Sequence, residues 1–186
     1  LAAPAARRSV RRIPDVNTAG RSRRATALRT VAVTTGEPAG IGPDLCTELL
    51  DTAAHDAMRV YPGLEVSLVP SPTCIIIGLP AGLRLTVDNA IANAVKHGGA
   101  TRVQLSAVSS RAGVEIAVDD NGSGVPEDER HAVFERFARG STASRSGSGL
   151  GLALVAQQAE LHGGTASLDA SPLGGARLLL RLPGPN

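Results

Sequence analysis

Apolar positions recur at helical spacing in some stretches of the chain and alternate with polar ones in others. Leu49, Leu50, Ala53, Ala54, Ala57, Met58 and Tyr61 share one helical face, and Pro62-Gly63 ends that run. A longer helix is expected over residues 81–97, with Gly98-Gly99 as its stop. A short helix is expected over 128–137 and a third full one over 149–161. Strands are expected at 29–35, 65–69, 73–78, 102–108, 113–119, 165–169 and 176–182. Helices and strands interleave, and several strands are joined by turns of hairpin length. The pattern predicts an α/β two-layer sandwich, with a mixed β-sheet packed on three helices. No repeat of solenoid period is present.

Composition sharpens this picture. Apolar residues make up 42% of the 186 positions but aromatics only 2%, so the core must rest on Leu, Val, Ile and Ala. The longest apolar runs, such as residues 74–79, are too short to span a bilayer, so no membrane contact by this chain is expected. Cys46 and Cys74 form no metal or redox motif and read as reduced, buried thiols. Residues 1–30 hold eight arginines and one acid, so this part carries +7 against a whole-chain +2, and the remainder is acidic. Residues 1–28 show no period and read as a disordered Arg-rich tail. No aromatics lie among these arginines to stack on bases, and no apolar segment follows, so neither a nucleic-acid partner nor a secretory signal is expected. A first residue of Leu1 rather than Met points to a fragment or an unusual start codon.

Three constellations could carry chemistry. On the long helix, Asn89, Asn93, Lys96 and His97 fall within an arc of roughly 100°, opposite Leu83, Val87, Ala90, Ile91, Ala94 and Val95. An amide oxygen suits Mg²⁺ and an ammonium suits phosphate, although a solvated polar face is the commoner meaning of such a stripe. After the strand at 113–119 comes Asp120-Asn121-Gly122-Ser123-Gly124, where glycines let a loop approach a flat ligand and a carboxylate can accept from an exocyclic amine. An ordinary tight turn would use the same residues. The third is Gly147-Ser148-Gly149-Leu150-Gly151-Leu152, a glycine-rich loop opening a helix, an arrangement that binds phosphate through backbone N–H groups and the helix dipole. It is not a P-loop, because no Gly-Lys-Ser/Thr follows.

In order and spacing these three resemble the N, G1 and G2 boxes of the histidine kinase ATP-binding domain, which has the Bergerat (GHKL) fold. Between the last two, Val133-Phe134-Glu135-Arg136-Phe137-Ala138-Arg139-Gly140 looks like the F box. The resemblance covers residues 47–186 and implies a cytoplasmic ATP-binding catalytic domain whose parent kinase is anchored in the inner membrane. It implies ATP and Mg²⁺ as cofactors, with Asn93 as the Mg²⁺ ligand and Asn89 lining the same pocket. Lys96 and His97 would reach the phosphates. Asp120 would bind adenine N6, with Gly122 and Gly124 shaping that wall. Gly147, Gly149, Leu150 and Gly151 would wrap the triphosphate. Arg139 would contact phosphate or the partner domain, and residues 139–147 would form the ATP lid.

ATPases that resemble one another in this superfamily, such as the Hsp90 chaperones and MutL, carry Glu four residues before the Mg²⁺-binding Asn. Here that position is Asn89, and an amide is no general base at neutral pH. This favours a protein histidine kinase over a GHKL ATPase. The implied partners are a dimerisation domain carrying the phosphoacceptor His and a response regulator. No such acceptor helix is evident here: His55-Asp56 only superficially resembles its motif, His131 precedes the F box, and His162 reads as a helix cap. A non-catalytic nucleotide-binding module is the alternative from another class. Residues 29–46 stand outside the family pattern as a fusion or mispredicted start. Within them, 30–44 resemble the amino terminus of 4-hydroxythreonine-4-phosphate dehydrogenase, whose metal-binding histidines and nicotinamide site have no counterpart in the rest of the chain.

Overall fold

A computed structural model describes residues 8–9, 40–41, 43–69, 76–135 and 149–184. Three helices, α1 (Pro43–Val60), α2 (Pro80–Lys96) and α3 (Gly151–Leu161), lie against a mixed sheet. The strands are β1 (Arg8–Ser9), β2 (Gly40–Ile41), β3 (Glu65–Leu68), β4 (Ile76–Ile77), β5 (Arg102–Ser110), β6 (Gly113–Asp120), β7 (Thr165–Ala170) and β8 (Ala176–Leu182). The main sheet has the order β1-β3-β5-β6-β8-β7. Among the described strands only β3 and β5 pair in parallel, and the chain between them contains α2.

Alternation decides which strand faces meet the helices. Val66 and Leu68 of β3, Val103, Leu105 and Ala107 of β5, Val114, Ile116 and Val118 of β6, and Leu178, Leu180 and Leu182 of β8 are buried in one core. Helix α1 contributes Leu50, Ala53, Ala54 and Ala57, and α2 contributes Leu83, Val87, Ala90, Ile91 and Ala94. Fully burying a Leu, Ile or Val side chain is worth roughly 1.5–3 kcal/mol, so this aliphatic set can hold the sandwich without aromatics. Thr86 is also buried, its hydroxyl donating to the Gly82 carbonyl at 3.1 Å, an economical way for a polar residue to enter the apolar face. Val95 is only partly buried.

Several elements differ from the sequence expectation. Helix α1 begins at Pro43, upstream of the expected start. Of the strand expected at 73–78, residues 73–75 lie outside the described residues; Ile76–Ile77 is a strand, and it pairs antiparallel with Gly40–Ile41 outside the main sheet. The short helix expected over 128–137 is replaced by two 3₁₀ turns, Glu127–Glu129 and Ala132–Phe134, neither with a buried residue. In 127–134 the apolar residues are Ala132, Val133 and Phe134, adjacent in sequence rather than spaced at i, i+3 and i+4, so they make no α-helical stripe. Helix α3 starts at Gly151 because Gly149 has φ +65°, outside the right-handed helical region. The strand expected at 29–35, residues 136–148, and most of the 1–28 tail and of the 30–44 resemblance lie outside the described residues; within the tail, Arg8–Ser9 pairs with β3. No helix among the described residues is long and apolar enough to cross a membrane.

Candidate nucleotide site

Helices α2 and α3 pack antiparallel, and this brings two of the sequence-predicted groups together. Asn89 and Asn93 lie one turn apart on α2, both half-buried. The Asn89 Nδ2 donates to the Leu85 carbonyl at 2.8 Å, which turns its Oδ1 outward. Opposite stands Gly151, the first residue of α3. A Cβ on Gly151 would lie 3.2 Å from Asn93 Nδ2 and 3.3 Å from the Oδ1 atoms of Asn89 and Asn93. The Asn93 Nδ2 is buried and has no hydrogen-bond partner among the described residues, a cost tolerated when a site is built for something else. His97 Nδ1 at the end of α2 is likewise buried without a partner, whereas Lys96 is exposed. Leu150 is the N-cap residue of α3 and half-buried; no side chain caps this helix and no acid sits in its first turn. Its leading N–H groups and the helix dipole therefore favour an anion.

The second wall is at the end of β6. Asp120 is 6% exposed, and its Oδ1 accepts from Gly122 N–H at 2.7 Å and from Ala176 N–H of β8 at 3.1 Å. Burial raises the Asp120 carboxyl above the ordinary Asp range; the Gly122 and Ala176 donors oppose that and neighbouring Asp119 adds to it. The following loop is joined to the end of α2: Ser123 N–H donates to the Gly98 carbonyl at 2.9 Å, and a Cβ on Gly122 would come within 2.5 Å of the same oxygen. Asn121 Oδ1 accepts from Thr101 and Arg102 N–H at 3.0 and 2.8 Å. Gly124 has φ +72°, a backbone angle suited to glycine. A single braced unit thus carries both the carboxylate and the amide stripe. Arg139 and Gly147 lie outside the described residues.

Other members of the site gave little sequence signal. Gly175 leaves the space into which Asp120 Oδ1 fits, and its N–H donates to the Asp120 carbonyl at 3.1 Å. Asp119, beside Asp120 but pointing to the other sheet face, is fully buried and held by Arg177 Nε and Nη2 at 2.7 and 2.9 Å. Consecutive residues of β8 thus hold consecutive carboxylates of β6. The doublet in the sequence signals only that one carboxylate must face each way.

A carboxylate held at a strand end, a glycine-led helix with no side-chain cap among the described residues and an asparagine stripe between them make up the candidate nucleotide site. The chain belongs to the histidine kinase-, DNA gyrase B- and HSP90-like ATPase family, whose model matches residues 78–186. Across 140 residues it is 86% identical to the sensor-type histidine kinase PrrB of Mycobacterium tuberculosis, covering 75% of this chain and 31% of that one. The sensor histidine kinase CpxA of Escherichia coli is 34% identical over 142 residues, again 75% of this chain and 31% of that one. The crystal structure of the ATP-binding domain of PrrB superposes with a TM-score of 0.69 at 75% identity, over 79% of this chain and 97% of that one. The mycobacterial sensor histidine kinase MprB gives 0.67 at 34% identity, over 78% and 97%. The chain spans about a third of the length of these curated relatives, and the part it shares is the kinase ATP-binding catalytic domain.

Proposed function

We propose that this chain binds Mg²⁺-ATP and supplies the γ-phosphoryl to a histidine on a separate dimerisation domain, which then signals to a response regulator. The observation that carries this reading is the meeting of Asn89 and Asn93 with Gly151, with an amide where the ATPases of the superfamily have a carboxylate. Among the described residues no cluster of three or more His, Cys, Asp or Glu could hold a metal ion. Mg²⁺ suits such a site, because it keeps several waters and leans on substrate phosphates, needing few protein ligands. Asn93 Oδ1 would be its protein ligand, and the ion would neutralise phosphate charge there. Asn89 lines the same pocket, Lys96 and His97 approach the phosphates, and Asp120 accepts from adenine N6 beside Gly122 and Gly124. Gly149, Leu150 and Gly151 present backbone N–H groups to the triphosphate; by the family resemblance Gly147 would join them and Arg139 would contact phosphate or the partner domain. In this chemistry the protein contributes position and charge.

The chain's own histidines are poor acceptors. His55 is exposed on α1 with Nδ1 against the Asp51 carbonyl at 2.8 Å, and the neighbouring Asp56 pairs with Arg84 at 2.7 Å. His131 is exposed beside a 3₁₀ turn, His97 belongs to the proposed pocket, and both ring nitrogens of His162 are engaged. Incubation with labelled ATP should leave the chain unlabelled, and adding a matching dimerisation domain should give acid-labile label on that partner. Acid-labile label mapped to one of the chain's own histidines would overturn the reading. The proposed setting is the cytoplasmic face of a kinase anchored in the inner membrane, without nucleic acid and without membrane contact by this chain.

A further inference from the structure

The far end of the α2–α3 pair is as closely built as the site end. His162 is the C-cap residue of α3 and is 9% exposed. Its Nδ1 lies 2.6 Å from the Gln158 carbonyl, and its Nε2 accepts the Leu79 N–H at 2.9 Å, at the N-cap of α2. Because a backbone amide can only donate, these bonds fix the Nδ1–H tautomer. Two glycines of the α2 end make room for this arrangement. A Cβ on Gly78 would collide with the His162 ring, and one on Gly82 would collide with the Gln158 amide.

Capping alone does not account for the ring. The end of α3 is closed by backbone: Gly163 N–H donates to the Glu160 carbonyl at 2.9 Å and Gly164 N–H to the Ala159 carbonyl at 2.8 Å. Gly163 has φ +70°, which completes a Schellman motif without any side chain. What the imidazole adds is a hydrogen bond from one helix to the other. Helix α3 has 11 residues, a strut of roughly 16 Å at 1.5 Å per residue, and Gly151 is at its opposite end.

We propose that His162 is a positioning residue for the phosphate end of the nucleotide site. Its bridge to Leu79 sets where α3 lies along α2, and so where Gly149 to Gly151 stand against Asn89 and Asn93. The proposal rests on the ATP-binding reading above. The adenine wall is independent of it: Asp120 is held by Gly122 and by Ala176 of β8, neither on α3. Disturbing His162 should therefore weaken contacts to phosphate and spare those to the base.

The test compares ATP with adenosine, both titrated by NMR onto the full chain, in three variants. In His162→Asn the shorter amide can still donate to the Gln158 carbonyl but cannot reach Leu79. His162→Gln places a carbonyl oxygen where Nε2 stood and keeps the bridge. Gly78→Ala displaces the ring while leaving the histidine in the sequence. ATP affinity should fall roughly tenfold in His162→Asn and in Gly78→Ala, with adenosine affinity held within about twofold and His162→Gln close to wild type. Equal losses of ATP and adenosine, or unchanged ATP binding in a folded His162→Asn or Gly78→Ala chain, would overturn the proposal. If His162→Asn does not fold, Gly78→Ala decides. A wild-type chain that binds adenosine but not ATP, or neither, would instead remove the ATP-binding reading on which the proposal stands.

Discussion

Replacing Asp120 by Asn separates what the site costs the fold from what it does for a ligand. The carboxylate is 6% exposed, and both described hydrogen bonds fall on one oxygen, Oδ1, from Gly122 and Ala176. An Asn oxygen can occupy that place and accept from both donors, so the loop geometry survives the change. The atom that changes character is the one where Oδ2 stood, an acceptor that becomes an NH₂ donor. Adenine N6 is itself a donor, so a charge-assisted bond is lost and two donors face each other. A hydrogen bond to a charged group is worth about 1.5–3 kcal/mol. Each 1.4 kcal/mol is about tenfold in affinity, which predicts a fall of roughly 10- to 150-fold.

The stability of the nucleotide-free chain should move the other way. Burial leads the forces that raise the Asp120 carboxyl above its ordinary value of 3.8, so the folded state holds that proton more tightly than the unfolded chain does. The contribution of Asp120 to stability is therefore complete below the ordinary Asp value and is lost as pH rises through the folded-state value. At neutral pH the wild type bears the cost of a buried charge, and the Asn variant does not. Calorimetric titration with Mg²⁺-ATP at pH 7, and thermal melts of the nucleotide-free proteins from pH 4 to 8, measure both effects. The variant should bind ATP weakly, melt at least as high as wild type at pH 7, and show its advantage shrinking towards pH 4. Wild-type affinity in the variant, or a melting temperature several degrees lower at pH 7, would refute the reasoning.

Four further outcomes are expected. Asn93→Ala should keep the fold, since the amide NH₂ has no partner to lose among the described residues, yet abolish transfer of label to an added dimerisation domain; retained transfer would remove Asn93 as the metal ligand. Gly151→Ala would seat a Cβ 3.2–3.3 Å from the Asn89 and Asn93 amides, costing ligand-site geometry about 1 kcal/mol, or roughly fivefold in ATP affinity, with the melting temperature almost unchanged. Arg177→Met leaves Asp119 fully buried without its cation, a loss of about 3 kcal/mol at the lower end of the usual range because Arg177 is 34% exposed; calorimetric melting should show a drop of roughly 6–12 °C. Removing residues 1–42 takes away only the two-residue strands β1 and β2 from the described fold, so ATP affinity and melting temperature should shift little, and a fall of several degrees would show that this segment packs on the domain.

The parts of this molecule that were legible in the sequence are those whose partners lie close along the chain or on a repeating face. Helix α2 announced itself through Leu83, Val87, Ala90, Ile91 and Ala94, and the polar stripe of Asn89 and Asn93 followed from the same spacing. The turn after β6 was legible because Gly122 and Gly124 sit two residues apart beside the carboxylate they serve. The 3₁₀ turns at 127–134 were not, since a few apolar residues can be written as a short helix until one asks what core they would meet. Of the strand expected at 73–78, Ile76–Ile77 is extended among the described residues, and what was not legible is the strand it pairs with. β-branched residues such as Ile76 and Ile77 favour extended backbone, but propensity does not say which sheet an extended segment joins.

The deeper omissions share one cause. Gly175 owes its identity to an aspartate 55 positions earlier, and Asp119 owes its neutralising partner to an arginine 58 positions later. The His162 ring bonds a backbone amide 83 positions away, at the start of a helix that runs in the opposite direction. None of these needs leaves a periodic trace, because each is met by a single atom from another element. Read locally, a histidine before Gly163-Gly164 is a helix end and nothing more. Only once α2 and α3 are laid side by side does the same residue become the tie at one end of a pair whose other end holds Gly151 against Asn89 and Asn93. The site boxes name the groups that would meet a nucleotide; on the proposal made above, the distance between those groups is set by residues outside the boxes, His162 among them.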